Sequence, residues 1–69
     1  MRKNTISLSM FDGCEGCEYI IHGNGDVYIT TISNGSIDSE VDVDVESLGF
    51  KRAEDLVVDL ISQGYNIEW

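Results

Sequence analysis

The chain has 69 residues, enough for one domain with a small core. With 42% hydrophobic and 25% charged residues, its composition is that of a globular protein rather than a disordered acidic tail. Thirteen Asp and Glu residues against four Lys and Arg give a formal net charge of −9. A surface with this charge repels DNA, RNA and anionic lipid, which excludes direct nucleic-acid binding and favours a basic protein partner.

No part of the sequence has the apolar content of a membrane-spanning segment. The longest apolar runs are pairs and triplets such as Leu56-Val57-Val58. The basic start is followed by alternating polar residues and not by the apolar region of a signal peptide. Two cysteines do not make a disulfide framework. These features predict a single cytoplasmic domain over residues 1–69.

The first half of the chain has the patterns of β-strands. Residues 4–11 alternate apolar and polar side chains with a period of two, which predicts a half-buried strand. Residues 12–18 contain two glycines and no periodicity, which predicts a loop. Further strands are predicted over residues 18–22, 27–33 and 37–46. The pairs Asn24-Gly25 and Asn34-Gly35 between them favour two-residue hairpin turns with positive φ at both residues.

The second half of the chain begins with a helical pattern. Apolar residues recur every three or four positions after Ser47, which predicts a helix over residues 50–63 with Gly64 as its C-terminal cap. Lys51 and Arg52 then lie in the first turn, where the helix dipole disfavours positive charge. Residues 65–69 alternate again and predict a short last strand or a packed tail.

The helix needs an apolar surface to pack on, and only the sheet can supply one. The predicted fold is therefore α+β, an antiparallel meander of four or five strands with one helix on one face, in the order β-β-β-β-α-(β). The aromatic residues expected to pack the helix against the sheet are Phe50, Tyr65 and Trp69.

The fourth predicted strand carries a regular series of carboxylates on one face. Its members are Asp38, Glu40, Asp42, Asp44 and Glu46. Same-face side chains on a strand lie about 6.6 Å apart, so five of them extend over roughly 26 Å. No Lys or Arg occurs between residues 4 and 50, and nine of the 13 acidic residues lie there. The remaining members of this window, predicted as a second flank of the same surface, are Asp12, Glu15, Glu18 and Asp26.

Two interpretations of the carboxylate row are open. The row protects an edge strand from pairing with another chain, as charged side chains commonly do. Alternatively, it imitates a nucleic-acid backbone, which has one phosphate per roughly 3.4 Å of axis in each strand and thus a similar linear charge density. The row is regular, has one sign and lacks neighbouring cations. These properties favour mimicry, because a basic groove that binds phosphates would accept such a row.

The strand register leaves a further alternative open. Two-residue turns at both Asn-Gly pairs would place Ile29 opposite Glu40 and Val27 opposite Asp42, so that apolar and acidic side chains share a face. Either a bulge at a turn shifts this register, or the acidic face includes an apolar strip. Such a strip would suit a protein-binding surface, in which charge surrounds apolar anchors.

Cys14 and Cys17 form a single CxxC motif. A redox dithiol usually lies at a helix N-terminus, whereas a strand pattern follows here. His22 would complete three of the four ligands of a structural zinc site, so a small metal-binding module is the alternative function. Two reduced thiols are the commoner outcome, a short-range disulfide is also open, and no cofactor is expected. One His without triad spacing predicts no enzyme activity.

The size, the charge and the carboxylate row resemble the small phage-encoded DNA mimics. These include anti-restriction proteins, uracil-glycosylase inhibitors and several anti-CRISPR proteins. Hairpins followed by one helix look most similar to a type I anti-CRISPR protein, and an anti-restriction mimic ranks second. The CxxC motif belongs to no pattern of these families.

The resemblance implies a stoichiometric inhibitor in the host cytoplasm. Its partner would be a CRISPR effector subunit of the Cascade complex, bound at the surface that receives the PAM duplex. The inhibitor would act as a monomer or weak dimer. An accessory domain that is acidic only for solubility is a third hypothesis from another class.

Overall fold

The computed structural model describes residues 5–68, which form one five-stranded antiparallel sheet and one α-helix. The strands are β1 (Thr5–Asp12), β2 (Glu15–His22), β3 (Asp26–Ser33), β4 (Ser36–Asp44) and β5 (Asn66–Glu68). A 3-10 helix (Glu46–Leu48) and helix α1 (Ala53–Ser62) connect β4 to β5. The order across the sheet is β4-β3-β2-β1-β5, a meander with β5 added beside β1. The predicted α+β class is confirmed.

The first hairpin is longer than the sequence predicted, because residues 12–18 do not form a loop. β1 continues to Asp12, β2 begins at Glu15, and these two residues lie opposite each other. The turn therefore consists of Gly13 and Cys14 alone. Gly13 has a φ of 67°, which glycine adopts without a Cβ clash.

The two Asn-Gly pairs form different turns. Asn34 and Gly35 both have positive φ, 55° and 78°, and make the predicted two-residue turn. The prediction is wrong at the other pair, where the loop has three residues, 23–25, and only Gly25 has a positive φ. There the Asp26 N–H donates to the Asn24 side-chain oxygen at 3.0 Å. This local hydrogen bond competes with the tighter turn.

Strand β4 contains a bulge that shifts its register against β3. Thr31 lies opposite Ser39, but Ile32 lies opposite Ile37, so Asp38 has no partner residue on β3. Beyond the bulge, Val41 and Val43 lie opposite apolar residues of β3. The bulge alternative is therefore correct for this part of the strand.

The core lies between α1 and one face of the sheet. Its buried side chains are Leu8, Ile21, Val27, Val45, Leu56, Val57 and Leu60. Phe50 and Tyr65 pack against them as predicted, whereas Trp69 lies outside the described residues. None of the helices in residues 5–68 has the length and apolar character needed to cross a membrane.

Helix α1 begins three residues later than predicted. Lys51 and Arg52 consequently precede it, and the first turn holds Glu54 and Asp55, which complement the helix dipole. Its C-terminus follows the prediction. Gly64 has a φ of 106°, and its N–H donates to the Ile61 carbonyl at 3.0 Å. The next N–H, of Tyr65, donates to the Leu60 carbonyl at 3.1 Å, which completes a Schellman motif.

Candidate functional site

Within residues 5–68 no helix packs on the face of the sheet opposite α1, and we call this face the open face. Residues directly opposite each other in neighbouring strands share a face, so the register assigns its members. From β1 and β2 these are Thr5, Ser7, Ser9, Phe11, Gly16, Glu18, Ile20 and His22. From the other strands they are Asp26, Tyr28, Thr30, Ile32, Ile37, Glu40, Asp42, Asp44, Asn66 and Glu68.

The open face is strongly anionic. Its six carboxylates are Glu18, Asp26, Glu40, Asp42, Asp44 and Glu68. Within residues 5–68 no Lys or Arg belongs to this face. Lys51 and Arg52 lie just before α1, where the Arg52 guanidinium is 3.7 Å from the Asp55 carboxylate, and both residues line a cavity together with Asp26 and Asp44. The face therefore attracts cations and repels anions.

The predicted row of five carboxylates is shorter than expected. Glu40, Asp42 and Asp44 occupy successive open-face positions of β4, over roughly 13 Å. Asp38 is the bulge residue, and Glu46 belongs to the 3-10 helix. The row of about 26 Å is therefore wrong, because the bulge breaks its start and the chain leaves the sheet after Asp44.

The predicted second flank is correct only in part. Asp26 of β3 lies directly opposite Asp44 of β4. Glu18 of β2 lies in the same cross-strand row as Glu40 of β4, with one residue of β3 between them. Asp12 and Glu15 do not belong to the open face. They lie opposite each other at the end of the first hairpin, on the side that α1 packs against. β1 continues to Asp12, and because side chains alternate along a strand, Asp12 and its partner Glu15 lie on the same face as the buried Leu8.

Asp44 and Asp26 also stabilise the local backbone. The Asp44 carboxylate accepts the Ser47 N–H at 2.8 Å, and hydrogen bonds from Ser47 lower the pKa of Asp44. Asp26 closes the second hairpin, where its carboxylate accepts the Asn24 side-chain amide at 3.1 Å. Like charges directly opposite each other repel, and these hydrogen bonds compensate part of that cost. Substitutions at either residue would therefore destabilise the local backbone.

Glu40 and Asp42 have no comparable role in a turn or cap within residues 5–68. They lie beside Tyr28, which is opposite Asp42. Hydrogen bonding to the Glu40 carboxylate raises the pKa of Tyr28, and desolvation and the charges of both carboxylates add to the effect. An aromatic ring beside two carboxylates is suited to a basic side chain, which can contact both the ring and the charges.

The open face has an apolar end that the sequence analysis missed. Phe11 and Ile37 are 55% and 61% exposed, and the register places both in the cross-strand row of Ile32. The Phe11 ring covers Gly16, where a Cβ atom would collide with it. The exposure of Phe11 could have been predicted, because alternation along the strand places it on the same face as the polar residues Thr5, Ser7 and Ser9. The position of Ile37 could not have been predicted from alternation, because the bulge at Asp38 moves it to this face.

The three candidate zinc ligands are not brought together. Cys14 is exposed in the first turn, and Cys17 lies partly buried on the α1 side of the sheet. His22 is five residues further along β2, roughly 16 Å away, with its Nδ1 atom 3.2 Å from the Thr5 hydroxyl. Across the described part of the chain, no three His, Cys, Asp or Glu side chains are placed to share a metal ion. Both cysteines are free thiols.

Cys17 belongs instead to a small cluster with two tyrosines. The rings of Tyr19 and Tyr65 pack edge to face, with centroids 5.5 Å apart. Burial, followed by interaction with Cys17, raises the pKa of Tyr65 well above its usual range. Burial also raises the pKa of Tyr19. The fold thus favours the neutral phenols.

These tyrosines predict a loss of stability at alkaline pH. Because folding raises both pKa values, the stabilisation is complete below the unfolded pKa of about 10 and is lost as the pH rises above it. We expect the urea midpoint, followed by circular dichroism, to fall between about pH 10 and pH 11 and to change less between about pH 8 and pH 10. Tyr65→Phe should reduce the alkaline fall. A variant that loses as much stability as the wild type would contradict this explanation.

Comparisons of the chain with family models, with curated proteins and with solved structures gave no match. The class of the protein is therefore defined by its own fold and surface. It is an α+β domain whose five-stranded sheet is packed by a helix on one side and has an anionic face with an apolar end on the other.

Proposed function

We propose that the chain is a stoichiometric inhibitor that mimics DNA with its open face and occupies a basic DNA-binding site on a protein. One observation carries the proposal: six carboxylates share a face on which the described residues include no Lys or Arg. Such a face is drawn to a basic groove by long-range attraction. It also releases the counterions of both partners on binding, as DNA does.

The carboxylates form a two-dimensional array rather than a line. Glu40 and Asp42 are about 6.6 Å apart along β4, while neighbouring strands are about 4.8 Å apart. Glu18, two strands from Glu40, therefore adds charge roughly 10 Å away across the sheet. An array of this width can contact cations on both sides of a groove, as the two phosphate backbones of a duplex do.

The apolar end supports a protein partner rather than free cations. Phe11 and Ile37 are exposed large hydrophobic side chains at one end of the anionic face. Protein interfaces commonly combine such anchors with a charged surround. A binding role is also favoured over catalysis, because the open face is a sheet surface and not the concave, water-excluding pocket that catalysis needs.

The particular target follows from the resemblance to type I anti-CRISPR proteins, which implies the Cascade subunit that receives the PAM duplex. The test is a competition assay in which the chain is added to purified type I Cascade complexes, each already bound to its own labelled PAM-containing duplex. We expect the chain to displace the duplex at about one molecule per binding site.

The same competition with type I restriction enzymes serves as the comparison. Displacement from these enzymes alone would assign the chain to the anti-restriction class. Displacement from neither group at a large excess of the chain would contradict the proposal.

A further inference from the structure

Strand β4 is an edge of the sheet. In residues 5–68 it pairs with β3 alone, and the outer side of its backbone faces solvent. It has nine residues, and those from Ser36 to Asp42 are all exposed. A long edge of this kind is a template to which another strand can hydrogen-bond.

The two faces of this edge differ in chemistry. Glu40 and Asp42 lie on the open face, and Val41 and Val43 lie on the other face. Val41 is 45% exposed, and in residues 5–68 the main strand contacts of α1 are with β1, which is three strands away from β4. A strand added beside β4 would therefore meet carboxylates on one face and apolar surface on the other.

A second copy of the chain does not fit this edge. Antiparallel pairing of two β4 strands centred on Asp42 would place Glu40 opposite Asp44 and Asp42 opposite its own copy. Like charges directly opposite each other are destabilising. A shift of one residue would instead place valines opposite carboxylates and mismatch the faces. The edge thus rejects its own sequence and favours an opposite charge pattern.

We propose that β4 accepts, as a sixth strand, an extended segment of the partner in which Lys or Arg alternates with apolar residues. This inference rests on the proposed function, which supplies the basic character of the partner. The basic side chains would contact Glu40 and Asp42, and the apolar ones would cover Val41 and Val43. Backbone hydrogen bonds would set the register, as in other cases of strand addition.

The test uses a synthetic peptide of about seven residues in which lysine alternates with valine. Two control peptides have the same composition. In one, the lysines and valines form separate blocks, which removes the alternation. In the other, every backbone nitrogen is methylated, which keeps the charge and removes every backbone donor. The readout is amide hydrogen exchange of the isotope-labelled chain, measured by NMR.

We expect the alternating peptide alone to slow exchange of the outward-facing β4 amides by about tenfold or more. Equal binding of all three peptides without this protection would show charge attraction only. That result would overturn strand addition and leave the DNA-competition result unaffected. Absence of binding by the alternating peptide would overturn the inference as well. The proposed function would then still stand or fall on displacement of duplex DNA.

Discussion

Replacement of Leu8 with alanine is expected to destabilise the fold by about 3 kcal/mol, within the roughly 2–5 kcal/mol typical of buried Leu→Ala substitutions. Leu8 is fully buried at the centre of β1, opposite Tyr19 of β2 and Ile67 of β5. A domain of this size has a total stability of only about 3–5 kcal/mol. A loss of about 3 kcal/mol lowers the ratio of folded to unfolded molecules about a hundredfold and removes most of this stability. Urea denaturation followed by circular dichroism would measure the loss.

Val58→Ala is the matched control for this prediction. Val58 belongs to α1 but is 66% exposed, so its truncation removes little packing. We expect its free energy of unfolding to change by less than about 0.5 kcal/mol. A loss of less than about 1 kcal/mol in Leu8→Ala would contradict the described core, because such a value is typical of a surface position.

The sequence predicted the elements whose signals are local. Strict alternation identified β1, and apolar residues three and four apart identified α1. Gly64 identified the end of that helix, because few other residues adopt the positive φ that a Schellman motif requires. These signals depend on neighbouring residues in the chain, so no tertiary information was needed to read them.

Features that depend on contacts between strands could not be predicted in the same way. The bulge at Asp38 allows Val41 and Val43 to face the core side, although the turn at Asn34 alone would have placed carboxylates there. Val45 ends β4 because it packs into the core and starts the turn toward Glu46. Burial of apolar surface determines both the position of the bulge and the end of β4, and neither feature has a local sequence pattern.

The candidate site, like the fold, was predicted only in part from the sequence. Charge and period two identified Glu40, Asp42 and Asp44 before their geometry was known. Glu18 and Asp26 were grouped with them by charge alone, and the register confirms that they share the face. The same reasoning was wrong for Asp12 and Glu15, because membership of a face depends on where strands begin and end.

Reversing Glu40 and Asp42 together to lysine is expected to weaken binding to the DNA-site partner by about a hundredfold or more, equivalent to about 2.7 kcal/mol. Each substitution removes an attraction and adds a repulsion next to basic residues, and like-charge contacts across an interface are costly. These two residues are preferred to Asp44, whose hydrogen bond with Ser47 supports the fold. The measurement is the concentration needed for half displacement of the labelled duplex, after circular dichroism has confirmed an intact fold.

The control is the double reversal of Asp12 and Glu15 to lysine, which changes the net charge equally but lies outside the open face. We expect the binding affinity of this control to fall by less than about tenfold, because the control weakens long-range attraction without placing a cation in the interface. Equal losses in the two variants would show that net charge, not the arrangement on the open face, determines binding. Unchanged binding in both would favour a domain that is acidic only for solubility, since lysine is well tolerated on the edge strand that carries Glu40 and Asp42.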